Sequence, residues 1–255
     1  MPRKLALVFV LFALTACGGT VGAEGAATTS SAAGSSTASP AATVSASPTG
    51  PNVSGCFTEA DGQVFRYRNA VGDESAGVIM GDGPAGAVIT YELNGTVCSW
   101  RPLADRLRAA GYRVLLYERS SGTARADLIL KMAKRLRKAG VTRVFLIGGS
   151  MGGTKSITAA TQLKEPAAAV VNLAGSPSYD DLAHLDVPLL QITAERDNVI
   201  SPTQMEEVAE AAVKSPDHPV VIVRGEGAHA SHLFETDQAA MVLDTIVTFL
   251  DKHRG

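Results

Sequence analysis

Val144-Phe-Leu-Ile-Gly-Gly-Ser150-Met-Gly-Gly-Thr154 is the stretch whose reading decides the fold. Val144 to Ile147 are four apolar, β-prone residues closed by glycine, which predicts a short buried strand. From Thr154 to Leu163 the chain is rich in Ala and Thr, with apolar residues at helical spacing, which predicts a helix. Between them lies Gly148-Gly149-Ser150-Met151-Gly152, a G-x-S-x-G sequence with a further glycine behind it. A serine on so sharp a strand-to-helix turn needs unusual backbone torsion and little bulk on either side. Glycine supplies both. Such a turn lifts the Ser150 hydroxyl above the sheet edge and aims the Met151 amide, at a helix N-terminus, toward whatever that hydroxyl attacks. Ser150 is therefore a candidate nucleophile; a plain Gly/Ser loop is the alternative.

Outward from this turn, strand-like and helix-like segments alternate. Val64 to Arg68 and Ala76 to Met80 read as paired opening strands, followed by strands at Ala87 to Tyr91, Val114 to Tyr117, Ala168 to Leu173, Leu189 to Thr193 and Val220 to Val223. Helices are expected over Trp100 to Ala110, Ala124 to Ala139, Thr203 to Lys214 and near Gln238 to His253. This alternation predicts a mostly parallel sheet with helices on both faces, its site at the carboxyl ends of the strands.

A nucleophilic serine needs a base, and the base an orienting acid. His184 and His218 lie in polar connections and His253 in a charged tail, which leaves His229 and His232, just past the last strand. His229 directly follows the turn-forming Gly225 and Gly227 and is preferred to His232, which would line or cap the next helix. For the acid, Asp197 lies a few residues past a strand and ahead of a Pro-initiated helix. Glu195, Asp180 and Asp181 compete for the role.

With Ser150, Asp197 and His229 in that order on this strand pattern, residues 55–255 resemble the α/β-hydrolase family. Gly-Gly-Ser150-Met-Gly-Gly-Thr is similar to its nucleophile turn, Thr193 to Pro202 to its acid loop, Gly225-Glu-Gly-Ala-His229 to its histidine loop, and Ser99 to Val114 to its first helix and next strand. The resemblance implies an α/β-hydrolase fold and a Ser–His–Asp triad working through an acyl-enzyme, with no metal and no organic cofactor. Two positions depart from the family: Tyr91-Glu92 replaces a usual His-Gly, and Ala228 a usual glycine. By position the second oxyanion donor, beside Met151, is the Leu93 backbone, with Glu92 as the runner-up. Only about fifteen residues separate the strands ending near Leu173 and starting near Leu189, so no cap domain is expected and the site should be open. The expected activity is that of a carboxylesterase-like serine hydrolase on a small-molecule or acyl-ester substrate. A serine peptidase, an acyltransferase or a non-catalytic surface binding protein on the same fold are the alternatives.

Upstream the sequence changes character. Arg3 and Lys4 precede the apolar run Leu5 to Ala16, whose 12 residues are too few to span a membrane and suit a signal peptide. Leu14-Thr15-Ala16-Cys17 is similar to the lipobox of bacterial lipoproteins. That likeness implies cleavage of residues 1–16, palmitate-type lipid on Cys17, and anchoring to the outer face of a bacterial plasma membrane. An ordinary secretory signal is the plainer alternative. Residues 17–54 are a lipidated cysteine and an Ala/Ser/Thr/Gly/Pro tract with Glu24 as its only charge, too apolar-poor to repay the cost of ordering. Such a linker would span roughly 30–35 Å as a coil. Cys56 and Cys98 then form an even pair in an exported chain, which predicts a disulfide, with two free thiols as the alternative.

The net charge of −2 gives no electrostatic case for nucleic acid. Lys131, Lys134, Arg135, Arg137 and Lys138 do cluster, but they alternate with Leu128, Leu130, Met132 and Leu136, as on the wet side of an amphipathic helix.

Overall fold

The computed structural model describes residues 52–69, 72–119 and 123–255. The expected signal peptide, the lipid site at Cys17 and most of the linker lie outside the described residues. Strands β1 (Asn52–Val53) and β2 (Phe57–Thr58) pair as a small antiparallel ribbon. Asn52 to Ser54, expected to close the linker, take part in this ribbon. The cause is burial, which composition alone did not reveal: Val53 is fully enclosed in the core, and the Ser54 amide donates to the Glu118 carboxylate at 2.7 Å.

The main sheet has the strands β3 (Gln63–Arg68), β4 (Glu74–Met80), β5 (Ala85–Thr90), β6 (Arg113–Tyr117), β7 (Arg143–Gly149), β8 (Ala169–Leu173), β9 (Leu189–Ala194) and β10 (Val220–Val223). Their spatial order is β10-β9-β8-β7-β5-β6-β4-β3. Only β3 and β4 run antiparallel to their neighbours; from β6 across to β10 every pairing is parallel. The helices are α1 (Arg101–Ala109), α2 (Ala126–Lys138), α3 (Met151–Ala160), α4 (Tyr179–His184), α5 (Pro202–Ala211) and α6 (Ala239–Lys252), with 3₁₀ turns at Val97–Trp100 and Ala230–Glu235.

Both faces of the sheet are covered, and the period of two in the strands decides which side chain goes where. Phe145 and Ile147 of β7 pack in one core with Leu103 and Leu107 of α1 and with Val242, Ile246 and Leu250 of α6. Val144 and Leu146 point the other way, into a core with Ile129, Met132 and Leu136 of α2 and Ile157 of α3. Lys131, Lys134 and Lys138 are exposed on the far side of α2, as its amphipathic pattern requires.

Chain order and spatial order together place the site. After β5 the chain moves to β6 on one side, then returns to lay β7 on the other. The sheet therefore reverses its winding between β5 and β7, and the loops leaving their carboxyl ends diverge to opposite faces and leave a crevice. Those loops begin at Tyr91 and Ser150.

Cys56 and Cys98 are bridged, with Cα atoms 5.7 Å apart, which ties the ribbon to the turn before α1. The bridge closes a loop of 42 residues. The chain-entropy relation gives about 4 kcal/mol for such a closure. Reduction, or the pair Cys56→Ser and Cys98→Ser, is expected to lower Tm by roughly 10 °C for a domain of this size. Melting curves with and without a phosphine reductant check this, and superimposable curves would remove the bridge from the account of stability.

Candidate active site

The turn at Ser150 is tighter than its sequence suggested. The helix starts at Met151 and not at Thr154, so Gly152 and Gly153 form its first turn. Both glycines are there for close approach: a methyl at Gly152 would run into the Thr90 and Tyr91 carbonyls, and one at Gly153 into Asn172. Ser150 itself has φ 49° and ψ −118°, a strained conformation for a residue with a Cβ. Its amide is held by the Leu173 carbonyl at 2.7 Å, and its own carbonyl accepts from the Thr154 amide at 2.9 Å. The Met151 N–H, first in α3, has no intrahelical partner and faces outward from the helix end.

Positive φ at residues other than glycine recurs along this edge. Asn94, Ser150, Ala174 and Ala230 all have it, and each sits in a loop past β5, β7, β8 or β10. The fifth such residue among those described, Ser54, turns the β1–β2 ribbon instead.

Asp197 and His229 meet there. His229 Nδ1 lies 2.8 Å from Asp197 Oδ2. The Asp197 side chain is fully buried, while the ring keeps 21% exposure. The other carboxylate oxygen, Oδ1, accepts the amides of Val199 at 2.8 Å and Ile200 at 3.0 Å. Burial pushes the Asp197 pKa up, but hydrogen bonds from His229, Ile200 and Val199 outweigh it and hold the carboxyl below its ordinary range. Behind it, Ser201 caps α5 in a capping box with Gln204, which fixes where the acid loop ends.

The competing residues lie elsewhere. Glu195 is spent on Arg224 and the Gly225 amide, both at 2.8 Å, where it ties β9 to the turn after β10. Asp181 accepts from Thr158 at 2.8 Å, on the flank between α3 and α4. His232 is exposed and faces Glu235 at 3.4 Å. Of the two glycines expected to turn the histidine loop, only Gly225 takes positive φ; the second sharp bend falls instead on Ala230, after the histidine.

The strand end before Ser150 packs against the turn after His229. A Cβ built on Gly149 would stand 2.9 Å from the Ala230 Cβ, so the residue before the serine touches the residue after the histidine. Among the described residues the Ser150 hydroxyl and the His229 ring are not directly hydrogen-bonded. Leu93 follows β5 and is 49% exposed, and its N–H makes no hydrogen bond among the described residues. Between β8 and β9 there are 15 residues carrying only the six-residue α4, with no cap domain over the edge.

The sequence profile of the Alpha/beta hydrolase family matches residues 88–236, more than half of the chain. The chain belongs to the alpha/beta hydrolase family. A comparison with curated proteins gives no match. Among solved structures, this alpha/beta hydrolase is similar to the Pyrococcus furiosus esterase Pf2001, at 16% identity and a TM-score of 0.67, over 81% of this chain and 99% of the other. It is also similar to the esterase domain of a Rhodothermus marinus protein, at 16% identity and a TM-score of 0.60, over 73% and 96%. A Paleococcus ferrophilus monoacylglycerol lipase matches at 14% identity and a TM-score of 0.61, over 71% and 100%. At such identities the likeness is one of fold.

Sequence reading of this hydrolase missed the side chains packed beneath the crevice. Glu92 is buried and accepts the Trp100 indole N–H at 2.9 Å and the Ser231 hydroxyl. Arg119, past β6, lies over the Tyr91 ring at 3.9 Å and donates to the Glu92 carbonyl at 2.7 Å. The available signal was an acidic residue directly after a fully buried strand, eight residues from the chain's single tryptophan.

Proposed function

We propose that this alpha/beta hydrolase is a carboxylesterase-like serine hydrolase that cleaves an ester or related acyl bond through Ser150, His229 and Asp197. The observation that carries the reading is the hydrogen bond between His229 and the buried Asp197 carboxylate, on a loop whose next residue packs against the Ser150 turn. Because Nδ1 is committed to Asp197, Nε2 is the ring nitrogen left to handle the serine proton. Ser150 Oγ bonds to the acyl carbon as His229 takes its proton. The tetrahedral intermediate then expels the alkoxide, which leaves with that proton as an alcohol. Water repeats the sequence and releases the acid. The N–H groups of Met151 and Leu93 are the oxyanion donors in this scheme; a lost donor typically costs about 3–4 kcal/mol of barrier.

The rim suggests the kind of ester. Leu93 and Val199, in the loops past β5 and β9, and Tyr179, which opens α4 past β8, are exposed apolar residues. Together they favour an uncharged substrate with an apolar acyl or alkyl group, on an edge that the β8–β9 connection leaves uncapped. The test is covalent labelling by a fluorophosphonate, which requires an activated serine and no knowledge of the natural substrate.

We also propose that Cys17 carries lipid and holds the enzyme at the outer face of the plasma membrane. Support comes from the lipobox-like Leu14 to Cys17 after a short apolar run. Metabolic labelling with a fatty-acid analogue is expected to mark the protein and to fail in Cys17→Ser. Label persisting on that variant would place the lipid elsewhere.

A further inference from the structure

We infer that the Glu92 carboxylate is a positioning residue, a clamp that sets the histidine loop and the oxyanion loop in register with the nucleophile turn; this rests on the serine-hydrolase reading above. Glu92 is 5% exposed and stands one residue from the Leu93 amide. Its two oxygens reach two different elements. Oε2 accepts from Trp100 Nε1 at 2.9 Å, and Oε1 accepts from the hydroxyl of Ser231, two residues past His229. The third element is the turn itself, since a Cβ on Gly149 would lie 3.0 Å from Glu92 Oε2 and 2.7 Å from the Trp100 ring. One carboxylate therefore touches the segments carrying the proposed nucleophile, base and oxyanion donor.

Each segment needs holding. Ala230, between His229 and Ser231, is fully buried at φ 51°, a bend that an alanine keeps only if both flanks are anchored. Asp197 anchors the histidine flank, and Glu92 anchors the serine flank. Trp100 is fully buried edge-on against Phe234, so the far end of the clamp rests on packed core rather than on a mobile loop. Arg119 fixes the same residue from its backbone side, through the Glu92 carbonyl. Gly149 fits for a related reason: a Cβ there would run into the Trp100 ring at 2.7 Å and the Ala230 Cβ at 2.9 Å and press on the carboxylate.

Loss of the clamp should therefore appear in turnover before it appears in binding. Ser231→Ala and Glu92→Leu are each expected to lower kcat on a short-chain aryl ester by roughly 10- to 100-fold, the scale of small misplacements in an active site. KM should stay within about threefold, because neither side chain is proposed to bind substrate. Glu92→Gln should recover most of the rate, since its carbonyl can still accept from Trp100 and its amide can donate to the Ser231 oxygen. The double variant Ser231→Ala with Glu92→Leu should be no worse than the poorer single one, as expected of two ends of one device. All rates are taken well below each protein's Tm, so a merely stabilising role would leave kcat unchanged.

If Glu92→Leu does not fold, Ser231→Ala carries the test alone. Wild-type kcat in Ser231→Ala, or effects of the two changes that multiply, would overturn the clamp. Fluorophosphonate labelling keeps the two readings apart. A wild-type protein that reacts, with Ser231→Ala reacting just as fast, removes the clamp alone. A wild-type protein that never reacts removes the hydrolase reading and the clamp with it.

Discussion

Ser150→Ala is expected to leave the protein folded and blind to a fluorophosphonate, with hydrolysis of short-chain aryl esters reduced by about 10⁶ in kcat, as when other enzymes of this chemistry lose their serine. The residual rate would come from substrate binding and the oxyanion donors. Stability should hardly change. The strain at φ 49° belongs to the backbone and is the same for serine and alanine, and the hydroxyl ties no described element to another. Thermal melting separates the two effects: a matched Tm with no labelling assigns the loss to chemistry. Continued labelling of Ser150→Ala would place the reactive nucleophile on another residue and end the present reading.

Which parts of this molecule were legible beforehand follows from what a linear pattern can carry. The sheet was legible because strands such as Val144 to Ile147 are buried on both faces and so read as unbroken apolar runs. The three proposed triad residues stood out as candidates because each sits beside a backbone signal: glycines around Ser150, a Pro-initiated helix after Asp197, a glycine turn before His229. The start of α3 was set too late because Gly152 and Gly153 are poor helix formers. They are kept there by the Thr90, Tyr91 and Asn172 atoms against which they pack, and no local propensity reveals such neighbours. The ribbon at Asn52 was read as linker for a similar reason, since two residues cannot show a period. Least legible was Glu92. Its neighbours Trp100 and Ser231 are 8 and 139 residues away, and only the fold makes them adjacent.

The Asp197–His229 pair supplies the second large effect, and the direction follows from the hydrogen bonds. Asp197 Oδ1 accepts two backbone amides, from Val199 and Ile200, whereas Oδ2 faces His229 Nδ1. In Asp197→Asn the side-chain oxygen must stay toward the two amides, because an NH₂ there would oppose two donors. The Asn NH₂ is then turned to Nδ1, which can only accept from it. The ring proton moves to Nε2, the nitrogen that should receive the serine proton, so kcat is expected to fall by roughly 10⁴ with little change in fold. The pH profile tests the same pair. The Asp197 carboxyl is held below its ordinary range, so its contribution to native stability is complete above the unfolded Asp value and is lost only as pH falls through the lower folded one. It is therefore ionised throughout pH 5 to 9, and protonation of Asp197 should not limit kcat/KM anywhere in that window. His229→Ala should lose nearly all of the rate. His232→Ala should keep it, because its ring lies exposed against Glu235, away from the buried acid. An active His229→Ala beside a dead His232→Ala would transfer the base to His232, and Asp197 would then have no imidazole to orient.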